Sequence, residues 1–277
     1  MADRVGAKSE WDSRRLLLLL SLIGIGILLA VAILAPLISP YPPLKQFTSQ
    51  GELEAPSASH WMGTDQVGRD LLSRVLYGSR LSLLISFAVL AISVALGLTV
   101  GAVAGLIGGL ADEVMMRVTD IFFAFPHLIL AMAIVATLGR SVNSLILALA
   151  VIWWPSYSRL IRGQVLAIRE RPFVDAARVI GNGTVGLLAK HILPQTVPEL
   201  AVRLTLDVGN VILVVSGLSF LGLGAQPPIP EWGAIIGEGR PYSLTAPWLM
   251  IFPGLAIVFT ILCFSFLGDA LQDMLRP

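Results

Sequence analysis

Three charged residues at a spacing of four stand out in a chain that otherwise carries little charge. Glu199, Arg203 and Asp207 fall on one face of a helix, where neighbouring charges of opposite sign can form ion pairs. Ionisable residues inside membrane segments are costly and are functional candidates by default. Two interpretations stay open: a self-neutralising ladder at the membrane interface, or groups that take part directly in a transport path.

Other residues able to carry chemistry are few and scattered. The three histidines, His60, His127 and His191, are far apart, and Cys263 lies in an apolar run. This spacing favours neither a metal site nor a nucleophile. The chain also has no Gly-x-x-x-x-Gly-Lys-Ser/Thr loop for nucleotide phosphates. We therefore expect no catalytic residue, no metal and no bound cofactor in this chain.

The elements that must position the charged face are membrane helices. Hydrophobic residues make up 56% of the chain and charged residues 13%, which excludes an ordinary soluble domain. Six windows contain no charge, and each is near or above the roughly 20 residues that a spanning helix needs. They are Leu16–Ile38, Leu81–Leu110, Ile121–Leu138, Ser141–Ser158, Val208–Pro230 and Pro241–Gly268. The sequence predicts an all-α polytopic membrane protein with six transmembrane helices.

Basic residues predict the orientation, because cytosolic loops carry an excess of Lys and Arg. The densest basic run, from Arg159 to Arg203, places the loop after the fourth span in the cytosol. The first span reads as an uncleaved anchor, since its apolar run is long and no Ala-x-Ala site closes it. The resulting division is a cytosolic tail (1–15), a first span (16–38), an external segment (39–80), a five-helix core (81–270) with a cytosolic loop at about 161–195 and an external loop at about 222–246, and a cytosolic tail (271–277).

A polar segment in the cytosolic loop predicts two short helices joined by a turn. Pro172 suits a helix start, Gly181 a stop, Thr184 a second cap, and Pro194 bars further continuation. Each helix has an apolar side. The two sides comprise Phe173, Val174, Ala177 and Ile180 in the first helix and Leu187, Leu188, His191 and Ile192 in the second. Such a pair can dock into a groove of a cytosolic partner.

The spacing of Asp175-Ala176-Ala177, Gly181 and Leu193-Pro194 resembles the EAA loop of ATP-binding-cassette importer permeases. Asp175 stands where that family usually has Glu, and His191 where it has Ile. The resemblance implies that the loop seats on an ATPase subunit. The residues it assigns to this coupling are Phe173, Asp175, Ala176, Ala177, Gly181, Leu193 and Pro194.

Longer strings carry a more specific resemblance. They are Gly63-Thr-Asp65, Gly68-Arg-Asp70, Leu218-Ser-Phe-Leu-Gly-Leu-Gly224, Pro230-Glu-Trp-Gly233 and Gly268-Asp-Ala-Leu-Gln-Asp273. Together they resemble the C-type permease subunit of the dipeptide, oligopeptide and nickel importer family. The resemblance implies a bacterial or archaeal cytoplasmic membrane protein with both termini cytosolic. It also implies a homologous B-type permease partner, two ATPase subunits that bind ATP and Mg, and an extracytoplasmic solute-binding protein, with no nucleic acid.

The cargo implied first is a di- or oligopeptide, while nickel chelates, glutathione-like tripeptides and small glycosides stay open. Outer residues are hypothesised to form a gate or a binding-protein contact: Asp65, Arg69, Asp70, Glu231, Trp232 and Arg240. Glycines at a spacing of four predict a close helix contact, either a fixed seam or a cavity wall: Gly97, Gly101, Gly105 and Gly109. An ion-coupled secondary transporter using the charged ladder and a non-transporting scaffold are the alternative functions.

Overall fold

A computed structural model describes residues 2–47 and 52–275, and over these ranges the chain is almost entirely helical. The helices are α1 (Ala2–Ile38), α2 (Leu71–Ile107), α3 (Gly109–Phe123), α4 (His127–Leu138), α5 (Val142–Arg169), α6 (Pro172–Val179), α7 (Thr184–Leu187), a π-helix (Leu188–Ile192), α8 (Leu193–Phe220), α9 (Trp232–Gly239), a 3₁₀ turn (Arg240–Tyr242) and α10 (Trp248–Leu275). Two isolated antiparallel bridges in the external segment are the only β pairing among the described residues.

Five of these helical segments are long and apolar enough to cross a membrane, and α3 with α4 makes a sixth when counted as one broken span. The pair is bent by 88°. The prediction that Ile121–Leu138 forms one helix is therefore wrong. Pro126 precedes α4 and lacks the N–H that an unbroken helix would require there, so the backbone turns instead.

Other predicted bounds are corrected because helical hydrogen bonding does not stop where charge begins. The helix α2 starts ten residues before the predicted Leu81, since the Asp70 carboxylate accepts a hydrogen bond from the Ser73 backbone N–H at 2.8 Å and caps it. The fourth span runs on to Arg169 instead of ending at Ser158. The fifth span and the sixth span are displaced from their windows, to α8 and α10. Of the predicted carboxy-terminal tail, 271–275 belong to α10, while 276 and 277 lie outside the described residues.

The centre of the bundle is the contact between α2 and α5, flanked by α8 and α10. The first helix packs against α10 and α2. One main cluster of buried side chains spans these helices, including Leu71, Leu145, Ile212 and Trp232. A second, smaller cluster joins α2 and α5 to the stretch from α6 to the start of α8 (172–194), which we call the coupling segment.

Three of the four predicted glycines lie in the α2–α5 contact. A Cβ atom at Gly105 would lie 2.9 Å from Val165, and Cβ atoms at Gly97 and Gly101 would press on the backbone of α5. Only glycine admits this approach of the two backbones. Gly109 departs from the prediction: it has φ +58°, begins α3, and has nothing within 4 Å of a Cβ placed there. The stripe ends because α2 itself ends at Ile107.

Candidate coupling segment and intramembrane polar cavity

In the first half of the coupling segment, the helix begins at the predicted proline and ends just before the predicted glycine. Pro172 occupies the first turn of α6, where its missing N–H is not needed. Gly181 takes φ +89°, which reverses the chain after the helix. The turn is held by Asn182, whose backbone N–H and side-chain amide both donate to the Ala177 carbonyl, at 3.2 and 3.1 Å.

The second half differs from the prediction. Thr184 is the first residue of α7 and Gly183 precedes it, with no side-chain cap hydrogen bond. Pro194 does not end a helix but lies in the first turn of α8, a position that tolerates proline. Helical backbone therefore continues from Thr184 through the π-helix to Phe220. The short second helix is the base of the fifth span.

Burial divides the coupling segment into an anchored side and an open side. Val174 and Ala177 are buried, as are Leu187 and Ile192, and these four side chains join the smaller core cluster. Phe173 and Ile180 were predicted on the same apolar side, but they are 37% and 78% exposed. The exposed set on the open side comprises Phe173, Asp175, Ala176, Val179, Ile180, Gly181, Val185 and Pro194, while Leu193 is half-buried.

The open side is apolar for a surface that faces water. Val179 and Val185 are 87% and 79% exposed. Asp175 and Arg178 form a surface ion pair with 3.0 Å between carboxylate and guanidinium. Exposed apolar side chains rimmed by charge are typical of a protein-docking surface.

Four charged residues, from the segment before α2, from α2 and from α9, form a buried ion-pair network. Arg69 Nε lies 2.5 Å from Asp65 Oδ2, and Arg69 Nη2 lies 2.8 Å from Glu238 Oε2. Arg74 is fully buried and pairs with both Asp65 and Glu238, the latter at 2.9 Å. The network ties the segment before α2 to α9. Sequence reasoning placed Asp65 and Arg69 here but missed Glu238, which is distant in sequence and has no unusual spacing.

The remaining gate candidates are mostly enclosed as well. Asp70 caps α2 and accepts a hydrogen bond from His60 Nδ1 at 2.8 Å. Trp232 is 1% exposed, and its indole N–H donates to the Val75 carbonyl at 2.9 Å. Arg240 alone among the six candidates is exposed, with its guanidinium 5.7 Å from the Phe220 ring centroid. In this arrangement a docked protein reaches Arg240 but not Trp232, and the predicted gate stays a prediction.

Glu231 is fully buried at the start of α9. Its carboxylate accepts hydrogen bonds from the Ala234 backbone N–H at 2.9 Å and from the Ser82 hydroxyl at 3.0 Å. Burial raises the pKa of Glu231, and the hydrogen bonds from Ser82 and the backbone oppose that rise. The side chain thus caps one helix and links it to another.

The charged ladder on α8 is a pair rather than a triad. Arg203 Nε donates to Asp207 Oδ2 at 2.9 Å, as predicted from their spacing. Glu199 accepts its hydrogen bond from Gln164 on α5, and among the described residues it has no ion pair with Arg203. The missed member is Tyr157 of α5, whose hydroxyl donates to Asp207 Oδ2 at 2.8 Å. The charge-free window that contains Tyr157 does not indicate this contact, because Asp207 lies on another helix.

Arg203 lines two cavities. The smaller, of about 150 Å³, lies among α4, α5 and α8 and is lined by His127, Ile152, Trp153, Ser156, Arg203, Asp207 and Asn210. The larger, of about 600 Å³, lies on the other side of Arg203, toward Glu199 and Gln272 of α10. Among the described residues, no cluster of three or more His, Cys, Asp or Glu side chains has the geometry of a metal site.

Residues 97–277 match the family described as binding-protein-dependent transport system inner membrane component. The chain belongs to this family. Its residues 14–56 also match the N-terminal TM domain of oligopeptide transport permease C. The chain is thus a permease subunit of an ATP-binding-cassette importer, and the all-α polytopic fold expected from the sequence is confirmed.

Individual relatives cover nearly the whole chain. A glutathione transport system permease protein, GsiD, of Pectobacterium atrosepticum is 40% identical over 91% of this chain and 83% of its own length. A probable D,D-dipeptide transport system permease protein, DdpC, of Escherichia coli K12 is 41% identical over 98% of this chain and 91% of its own. An inward-facing structure of the MetNI methionine ABC transporter has a TM-score of 0.59 at 19% identity, covering 74% of this chain and 98% of that one, which shows the shared fold.

Proposed function

We propose that this permease subunit carries di- or oligopeptides inward. It forms the path with a homologous B-type permease and receives cargo from an extracytoplasmic solute-binding protein. Two ATPase subunits bind ATP and Mg on its cytosolic side, so that this chain holds no cofactor and catalyses no reaction itself. It lies in a bacterial or archaeal cytoplasmic membrane with both termini in the cytosol.

The observation that carries the proposal is the coupling segment. Its open side presents Val179, Ile180 and Val185 to a partner, while its buried side is anchored to α5. The helical continuation from Thr184 to Phe220 links this surface to the Arg203–Asp207 pair in the membrane. A push on the docked segment can therefore move α8 as a rigid body.

This geometry supports alternating access. When the ATPase subunits close on ATP, they displace α6 and α7, and the attached spans tilt to open the cavity between the two permeases to the outside. Hydrolysis reverses the displacement. Arg178 and Asp175 at the docking surface give the contact a polar rim.

The relatives support peptides as the cargo class. The two described above are named for glutathione, a tripeptide derivative, and for D,D-dipeptides. They match this chain over most of its length. Nickel chelates and small glycosides, left open by the sequence, have no such support here.

The test is gentle extraction of the chain from its own membrane, followed by mass spectrometry of the co-purified proteins. We expect a second six-span permease and an ATPase with a phosphate loop. The purified complex, in vesicles with its binding protein, should take up a peptide in an ATP-dependent manner. Recovery of the chain alone, with uptake driven by a proton gradient without ATP, would overturn the proposal in favour of a secondary transporter.

A further inference from the structure

The position of Arg203 is unusual for a charged residue in a spanning helix. It lies well inside α8, about 15 Å along the helix axis from Leu193 at 1.5 Å per residue. Its side chain is 49% exposed, whereas Val208, Val211 and Ile212 on the packed side of the same helix are buried. A guanidinium half-open to lipid at this depth is costly, so this face of α8 must meet water or protein rather than hydrocarbon.

The guanidinium is held in place with part of its donor capacity unused. Arg203 Nε donates a hydrogen bond to Asp207. Neither of the terminal nitrogens of Arg203 has a hydrogen-bond partner in the described part of the chain. Asp207 is 1% exposed and is fixed in turn by Tyr157 at 2.8 Å and Asn210 at 3.4 Å. Hydrogen bonds run from Tyr157 to Asp207 and from Arg203 to Asp207. They fix the planar guanidinium of Arg203, whose two terminal nitrogens form a fork of free donors.

Arg203 lines a cavity with room for a small polar group. Its volume of about 150 Å³ is well above the roughly 10–15 Å³ that one water needs. The other polar and aromatic walls come from His127, Trp153, Ser156 and Asn210, and from the Asp207 carboxylate, whose charge Arg203 neutralises. On its other side Arg203 borders the cavity of about 600 Å³, so that a larger molecule has room beside the fork.

We propose that Arg203 is a cargo-binding residue whose free terminal N–H groups donate hydrogen bonds to the carboxylate of the passing peptide. The planar fork of arginine matches a carboxylate with two parallel hydrogen bonds, which gives direction as well as attraction. Asp207 and Tyr157 act as positioning residues. This inference rests on the proposed function, since it names the chemical group of the cargo that this chain recognises.

The test uses the complete complex in vesicles, with its binding protein and radiolabelled dialanine or an alternative peptide that the wild type transports. Arg203→Gln removes the charge and the fork, and we expect uptake to fall roughly tenfold or more while ATPase stimulation by the loaded binding protein is retained. Arg203→Lys keeps the charge but loses the two-pronged geometry, and we expect an intermediate rate. Arg117→Gln is the matched control, because Arg117 is an exposed arginine on α3 with its ion-pair contacts at 3.8 Å.

A double variant separates cargo binding from simple charge balance. If Arg203 serves only to neutralise Asp207, then Arg203→Gln combined with Asp207→Asn restores uptake, and the proposal is overturned. We expect the double variant to stay impaired. Full uptake by Arg203→Gln alone would also overturn it, as would a loss of co-purifying permease in that variant, which would make Arg203 a subunit contact. Failure of the wild-type complex to carry any peptide would instead defeat the proposed function.

Discussion

At the residue scale, Gly101 decides how closely α2 and α5 approach. A methyl group at this position would press on the Ser158 carbonyl and lie 3.1 Å from the Arg162 backbone nitrogen. Backbone atoms cannot rotate away as side chains do. The seam of Gly97, Gly101 and Gly105 is thus a packing requirement whose spacing was visible in the sequence, whereas the partner helix was not.

We expect Gly101→Ala to destabilise the protein by about 1–3 kcal/mol, the usual cost of overpacking a close contact. Gly163→Ala on α5 is the matched control, because nothing lies within 4 Å of a Cβ placed there. Alanine has the higher helix propensity, so the control should be neutral or stabilising. Thermal unfolding of both variants in detergent measures the difference. Equal melting temperatures would show that the seam can relax.

Glu231 gives a pH-dependent stability. Burial raises its folded-state pKa above the ordinary value of 4.5, so the folded protein holds this proton over a range where the unfolded chain has lost it. As the pH rises from about 4.5 through the folded pKa, the free energy of unfolding falls. We expect the stability of wild type relative to Glu231→Gln to decrease over this range, as measured by thermal unfolding at a series of pH values. A difference that is constant with pH would contradict the raised pKa.

At the scale of elements, the turn at Gly181 in the coupling segment is expected to matter for transmitting motion of the ATPase subunits to the spanning helices. Gly181 has φ +89° with open space around it, so a side chain there meets backbone strain and no neighbour. Gly181→Val should distort the turn, at a cost of roughly 1–2 kcal/mol, and uncouple ATP hydrolysis from uptake. Gly181→Asn should retain coupling, since asparagine tolerates this conformation. Uptake per ATP hydrolysed is the measurement, and normal coupling in the valine variant would refute the role of the turn.

Helix positions were predicted better than helix bounds. Charge-free windows locate the apolar part of each helix, but α2 starts at a cap supplied by Asp70, and α5 continues past Pro155 in its interior to Arg169. Two prolines account for wrong predictions: Pro194 lies inside continuous helical backbone that it was expected to end, and Pro126 interrupts a window predicted as one span. Whether a proline breaks a helix depends on whether the N–H that it lacks would have donated to a carbonyl in the preceding turn. The Tyr157–Asp207 contact and the Glu238 network join distant segments, and local spacing carries no information about them.

At the scale of the whole molecule, the orientation in the membrane can be tested through the single cysteine. Cys263 is buried in α10, so it offers little background to thiol reagents. Val185 and Leu244 are 79% and 97% exposed, in the coupling segment and in the outer loop before α10. With a membrane-impermeant maleimide on intact cells, we expect Leu244→Cys to be labelled, and we expect Val185→Cys to be labelled only in inverted vesicles stripped of the ATPase subunits that would cover it. The opposite pattern would reverse the orientation predicted from the basic residues.

The packing of α1 against α10 has a consequence for biosynthesis. The helix α1 leaves the ribosome well before α10 and yet takes much of its contact from α10, with Gly24 lying against Cys263 and Phe259. Membrane helices are made in chain order, so this pairing has to wait until α10 has been synthesised. Until then α2 is the helix that α1 can pack against. A chain that stops short of α10 therefore leaves α1 without its main partner.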